Sequence, residues 1–175
     1  GGKVVFTAGK NYRTTGYVGT DTNNPADLVH FCRVEGFGAT LTLNANTTST
    51  DALCLEGRGN QVHGLTVNST RNLDHNASLT PQRTPYQYGI IVGGKGHLQS
   101  PRSLGSLSDF VSGVVIRGCT VTNFNIPIQT FRSSDVEVAH NTVDQFTDTG
   151  ILVDDCTTNI NVFRNRVTRG GDDCI

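Results

Sequence analysis

Three carboxylates near the end of the chain have the spacing that acid–base chemistry needs. Thr147-Asp148-Thr149-Gly150-Ile151 is followed one repeat later by Gly171-Asp172-Asp173-Cys174-Ile175. Gly150-Ile151 and Cys174-Ile175 fall at equivalent positions of the two segments. In a chain that repeats at this interval, Asp148 lies beside Asp172 or Asp173 on the next turn. One carboxyl that gives a proton and a second that takes one from water make an acid–base pair. Two other readings use the same residues. Asp-Asp pairs are ordinary turn residues, and Asp154-Asp155 stands nearby with no claim to chemistry. Carboxylates on neighbouring turns also suit Ca²⁺. The candidate ligand contacts are Arg164 and Arg169, which flank the last repeat, with Tyr88 and His97. The arginines suit an acidic ligand; Tyr86 and Tyr88 bracket the start of a strand and offer aromatic faces. His30, His63 and His140 read as structural.

Positioning these residues is the task of a repeat. Val62-His63-Gly64-Leu65-Thr66-Val67 matches Ile116-Arg117-Gly118-Cys119-Thr120-Val121, then Val138-Ala139-His140-Asn141-Thr142-Val143, then Val162-Phe163-Arg164-Asn165-Arg166-Val167. The last three copies follow one another at nearly equal intervals. The first lies farther upstream, at a distance that fits two coils plus an insertion. A second ladder is Val114 and Ile116, Val136 and Val138, Ile160 and Val162, an alternation that buries one face. A third is Gly89-Ile90-Ile91-Val92, Ile126-Pro127-Ile128 and Gly150-Ile151-Leu152-Val153. Three short strands per repeat of this length, with no helical stretch, predict an all-β, right-handed single-stranded parallel β-helix of about six or seven coils. Asn141 and Asn165, at equivalent turns, are expected to stack as an asparagine ladder or to accommodate a left-handed turn. The polar stretches at about 68–86 and 93–112 break the period and read as long loops. The whole chain, 1–175, reads as one domain that is part of a longer protein.

The opening, Gly1-Gly2-Lys3-Val4-Val5-Phe6-Thr7-Ala8-Gly9-Lys10-Asn11-Tyr12, resembles the first coil of the pectin-lyase-like superfamily, and Val34-Glu35-Gly36-Phe37-Gly38-Ala39-Thr40-Leu41 its second. The end of the chain resembles the polygalacturonase family, which carries an Asn-Thr-Asp motif and a Gly-Asp-Asp-Cys-like motif one coil later. Thr147-Asp148 matches the end of the first, with Phe146 where Asn is expected, and Gly171-Asp172-Asp173-Cys174-Ile175 matches the second. The family's Gly-His-Gly and Arg-Ile-Lys motifs would follow beyond Ile175. The resemblance implies that Asp172 is a general acid and that Asp148 and Asp173 position and deprotonate water. Such inverting chemistry needs carboxylates roughly 6.5–9.5 Å apart. The Thr/Asn/Gly-rich style also resembles phage tailspikes, which bind surface glycans with or without cleaving them.

Composition narrows the classes. The chain has 175 residues with 14 basic against 15 acidic groups, which predicts no nucleic-acid partner held by charge. No apolar run is long enough for membrane insertion. With 23 Thr, 20 Gly, 18 Val and 15 Asn, the residues favour strands and turns. Five Cys without a CxxC pair read as buried thiols, with one disulfide open if the protein is exported. The expected partner is a polysaccharide or surface glycan outside the cell. No cofactor is expected, Ca²⁺ being the exception for a lyase. A secreted hydrolase would be a monomer and a tailspike a homotrimer.

Overall fold

A computed structural model describes residues 2–15, 18–19, 31–44, 50–71, 86–93, 111–155 and 158–175. His30, His75, His97, Arg102 and Cys156 lie outside the described residues, as do 72–85 and 94–110, which hold most of the two expected loops.

In chain order the strands are β1 (Lys3–Val5), β2 (Asn11–Thr14), β3 (Val18–Gly19), β4 (Arg33–Glu35), β5 (Thr40–Leu43), β6 (Thr50–Glu56), β7 (Gln61–His63), β8 (Thr66–Ser69), β9 (Gln87–Gly93), β10 (Val111–Ser112), β11 (Val115–Arg117), β12 (Thr120–Phe124), β13 (Ile126–Phe131), β14 (Ser133–Ser134), β15 (Val136–Ala139), β16 (Thr142–Phe146), β17 (Ile151–Asp154), β18 (Ile160–Phe163) and β19 (Arg166–Gly170). They form three long parallel sheets. Sheet 1 runs β1-β4-β7-β11-β15-β18, sheet 2 runs β2-β5-β8-β12-β16-β19, and sheet 3 runs β3-β6-β9-β13-β17; β10 and β14 form a short fourth ladder. Each coil visits sheets 1, 2 and 3 in turn, so the chain is an all-β parallel solenoid, as the repeat predicts.

The repeat positions pair residue for residue. Val62, Ile116, Val138 and Val162 stack in sheet 1, and Val67, Val121, Val143 and Val167 in sheet 2. Ile90, Ile128 and Ile151 stack in sheet 3. Inward residues of these columns, such as Val62, Ile116, Val138, Ile90 and Ile128, have no solvent exposure. One expectation is corrected: the long gap from Val62 to Ile116 is a single coil, because β7 pairs directly with β11. Residues inserted at the corners lengthen a coil without adding a rung. The loops are also shorter than expected, since Asn68 and Ser69 belong to β8, Gly93 ends β9, and Val111-Ser112 form β10.

The corner between sheets 1 and 2 is short and uniform from the third coil on and longer in the first two, but a left-handed residue recurs in it on every rung. Gly9, Gly38, Gly64, Gly118, His140 and Arg164 all take φ between 53° and 74° there. Glycine adopts this left-handed conformation without steric penalty, so the later coils, with His and Arg, need other support. The expected asparagine ladder supplies it. Asn141 Oδ1 accepts from Cys119 N–H at 2.8 Å and its amide donates to Ile116 C=O at 3.0 Å. Asn165 Oδ1 accepts from Asn141 N–H at 2.9 Å and its own amide donates to Val138 C=O at 2.8 Å. Cys119, one rung before Asn141, is buried, and burial pushes its thiol up to about 11. Cys32 and Cys54 are buried thiols as well, while Cys174 is exposed.

Outward residues of sheet 1 pair across rungs. Glu35 bridges Lys3 and Arg33, each at 2.7 Å, and Arg117 meets Glu137 at 2.6 Å. His63 lies between these pairs, its Nε2 3.1 Å from Gln61 Oε1. Burial holds its imidazole below the ordinary value; Arg33 and Arg117 act in the same direction, and Glu35 and Glu137 oppose them.

Replacing Asn141 with Ala strands the buried Cys119 N–H and Ile116 C=O. The loss expected in urea unfolding is about 2–4 kcal/mol, and a loss near zero would show that the ladder is not structural. For His63, the unfolded chain takes up a proton near pH 6.5 and the folded chain only at lower pH. Stability therefore falls as pH drops through that window. The His63→Gln variant should show a flatter stability profile between pH 7 and roughly pH 5, measured by unfolding at a series of pH values.

Candidate functional site

The corner between sheets 2 and 3 is built differently. In the fourth coil Phe124, Asn125 and Ile126 turn it at once. Phe124 of β12 pairs with Phe146 of β16, yet Ile128 of β13 pairs with Ile151 of β17. The fifth coil thus carries one extra residue between Phe146 and Ile151, and Asp148 sits in that bulge. From the fifth coil to the sixth no residue is gained or lost. Phe146 pairs with Gly170 on one side of the corner. Beyond it, Gly150 N–H donates to Asp173 C=O at 3.0 Å and Ile151 N–H to Cys174 C=O at 3.1 Å, which continues the same register. Asp148 therefore stands level with Asp172, and Thr149 with Asp173, one rung apart. Adjoining rungs are spaced about 4.8 Å.

A chain of polar groups fastens this corner from inside. Ser69 Oγ donates to Gln87 Oε1 at 2.9 Å. Asn125 Oδ1 accepts from Gln87 N–H at 2.8 Å and from Arg71 Nη1 at 3.1 Å. The Asn125 amide donates to Thr147 Oγ1 at 2.9 Å, and its carbonyl accepts from Asp148 N–H at 3.1 Å. Ser69, Gln87, Asn125 and Thr147 are all buried, so these bonds satisfy main-chain and side-chain groups that water cannot reach. Arg71 is half-buried, and burial pushes its guanidinium below the ordinary value.

Aromatic rings hold the corner on the core side. Phe146 has no solvent exposure, and its ring lies against Gly150 and Gly170. A Cβ on Gly170 would collide with Phe146 Cζ. One on Gly150 would meet Val167 Cγ1 at 2.7 Å, Cys174 O at 2.8 Å and Phe146 Cζ at 3.0 Å.

The predicted site residues divide as follows. Asp148 is half-buried; its Oδ2 accepts from the Tyr86 hydroxyl and its Oδ1 from Thr149 Oγ1 at 3.3 Å. Asp172 and Asp173 are exposed on the next rung. Tyr88 is only 8 % exposed, packed with Ile91 and Ile126 on the outer face of sheet 3, and its ring centroid is 5.1 Å from that of Tyr86. Arg169 is engaged by Asp144 on sheet 2: Nε donates to Oδ1 at 2.7 Å, Nη2 pairs with Oδ2, and Thr168 Oγ1 adds a bond of 3.0 Å. That fork holds the Asp144 carboxyl below its ordinary range. Arg164 is exposed in the left-handed column at the sheet 1–sheet 2 corner, a different corner from that of Asp148. His97 lies outside the described residues. The cation that the structure does bring to the corner is Arg71, which sequence spacing did not single out; nor did it single out Asn125 and Gln87. A signal was present, since Asn125 stands one repeat before Thr147, at the start of a repeat strand.

Among the described residues, no group of three or more His, Cys, Asp or Glu side chains is disposed to hold a metal ion. No helix there is long and apolar enough to cross a membrane. The family model described as right handed beta helix region matches residues 49–175. The chain belongs to this family, and the solenoid is a right-handed parallel β-helix. No curated protein and no solved structure matches the chain.

The ring contact gives a discriminating pair of variants. Gly170→Ala should destabilise the protein by about 1–3 kcal/mol through overpacking against Phe146. Combined with Phe146→Leu, the two losses should be less than additive in a double-mutant cycle. The Gly150→Ala loss should not be relieved in that way, because its new methyl also meets the Cys174 carbonyl. Full additivity for Gly170 would contradict the contact.

Proposed function

We propose that the protein is a polysaccharide-active β-helix, a glycoside hydrolase that cleaves an acidic polysaccharide outside the cell with inversion at the anomeric carbon. The observation that carries this reading is the unbroken register that sets Asp148 level with Asp172 at an outward corner. Asp172 gives its proton to the glycosidic oxygen as the bond from that oxygen to the anomeric carbon breaks. Water attacks from the opposite face and passes its proton to the Asp148–Asp173 side. The two halves of the sugar chain leave as an alcohol and an inverted hemiacetal, and proton exchange with solvent resets the pair. Arg71, at the same corner, supports an acidic substrate. The resemblance of Gly171-Asp172-Asp173-Cys174-Ile175 to the polygalacturonase motif supports the same assignment.

The test is a reducing-end release assay on polyuronides and bacterial surface glycans, run with the protein and its Asp172→Asn variant. Release by the protein should fall by roughly 10²–10⁴-fold in a folded Asp172→Asn. An unsaturated, ultraviolet-absorbing product would mark a lyase and overturn the hydrolase. Absence of release from every glycan would overturn it too; a trimeric native mass would then point to a glycan-binding spike.

A further inference from the structure

Tyr86 stands just before β9 in the third coil, and Asp148 occupies the corner of the fifth. The registers put one whole rung between them: Tyr88 pairs with Ile126, and Phe124 with Phe146. The Tyr86 ring packs against the Tyr88–Ile91–Ile126 cluster and crosses that rung, so its hydroxyl donates to Asp148 Oδ2. Thr149 donates to the other oxygen at 3.3 Å. A carboxylate accepts at both oxygens, whereas a protonated carboxyl keeps one oxygen as a donor. Accepting at both oxygens fixes the rotamer of Asp148.

We propose that Tyr86 is a positioning residue that reaches across the fourth coil to hold Asp148 as the proton acceptor of the pair, leaving proton donation to Asp172. This rests on the hydrolase reading above and deepens it. A carboxylate pinned by two hydroxyls cannot rotate away from the water it orients, and positional losses of this kind act on turnover rather than on binding.

The experiment uses four proteins: the wild type, Tyr86→Phe, Asp148→Asn and the double variant. Phe keeps the ring and its packing. The chain has no Trp and four Tyr, so tyrosine emission is read without interference. A phenol becomes a stronger acid on excitation and is quenched by a carboxylate that accepts its proton. Asp148→Asn should therefore raise the emission, and should do so only while Tyr86 is present. On the glycan that the wild type cleaves, Tyr86→Phe should lower kcat on the order of tenfold with KM little changed. The double variant should be no slower than Asp148→Asn. An equal emission change in both backgrounds would overturn the pairing, and so would unaltered kcat or independent, multiplying losses. The two readings fail separately. Coupled emission without release from any glycan overturns the hydrolase and not the Tyr86–Asp148 contact. Uncoupled emission with release intact overturns the contact and not the hydrolase.

Discussion

The hydrogen-bonded register between successive coils governs everything else in this molecule. A parallel ladder has no slack: a slip of one residue turns every inward side chain outward. Each coil must therefore return to the same register in sheet 1 and sheet 2, whatever its length. The step from Ile116 to Val138 nearly equals that from Val138 to Val162, yet the step from Val62 to Ile116 is more than twice as long. All of that variation has to be absorbed at corners. From the third coil on the corner between sheets 1 and 2 absorbs none of it, because there a left-handed residue is followed by a stacked Leu, Cys or Asn; the first two coils carry extra residues at this corner. The corner between sheets 2 and 3 absorbs the extra residue that carries Asp148.

This division explains why candidate chemistry lies at one corner and not the other. At the sheet 1–sheet 2 corner of the later coils the polar side chains are spent on the main chain. Asn141 and Asn165 leave no amide group facing outward, since their oxygens and nitrogens bond to neighbouring rungs. At the variable corner the bulge needs bonds that the ladder does not supply. Asn125 provides them inward, to Gln87 and Thr147, and this leaves Asp148 pointing to the outer side, where Tyr86 meets it. The same bulge places a carboxylate level with the one on the next rung.

Periodicity made most of the fold legible in the sequence. The columns through Val62, Val67 and Ile90 repeat apolar residues at intervals of one coil, and burial on one face of a strand leaves that trace. The long interval from Val62 to Ile116 misled because spacing counts inserted residues and rungs do not. Of the site, the placement of Asp148 beside Asp172 or Asp173 was legible, since no residue is gained or lost between those two coils, and the register sets it level with Asp172. The partners were not. Arg169 looks available beside the acidic motif, yet Asp144, one coil earlier, faces it across the ladder. Tyr86 and Asp148 are far apart in the chain and on rungs that do not touch. Only the length of a tyrosine side chain joins them, and no spacing rule encodes that.

The fifth-coil carboxylate is held by its surroundings. Asp148 is half-buried and accepts from two hydroxyls, which fixes where its oxygens point. The bulge recesses the fifth-coil carboxylate beneath Tyr86. Glycine at 170 is required by the Phe146 ring, so the packing that closes the core constrains the same corner.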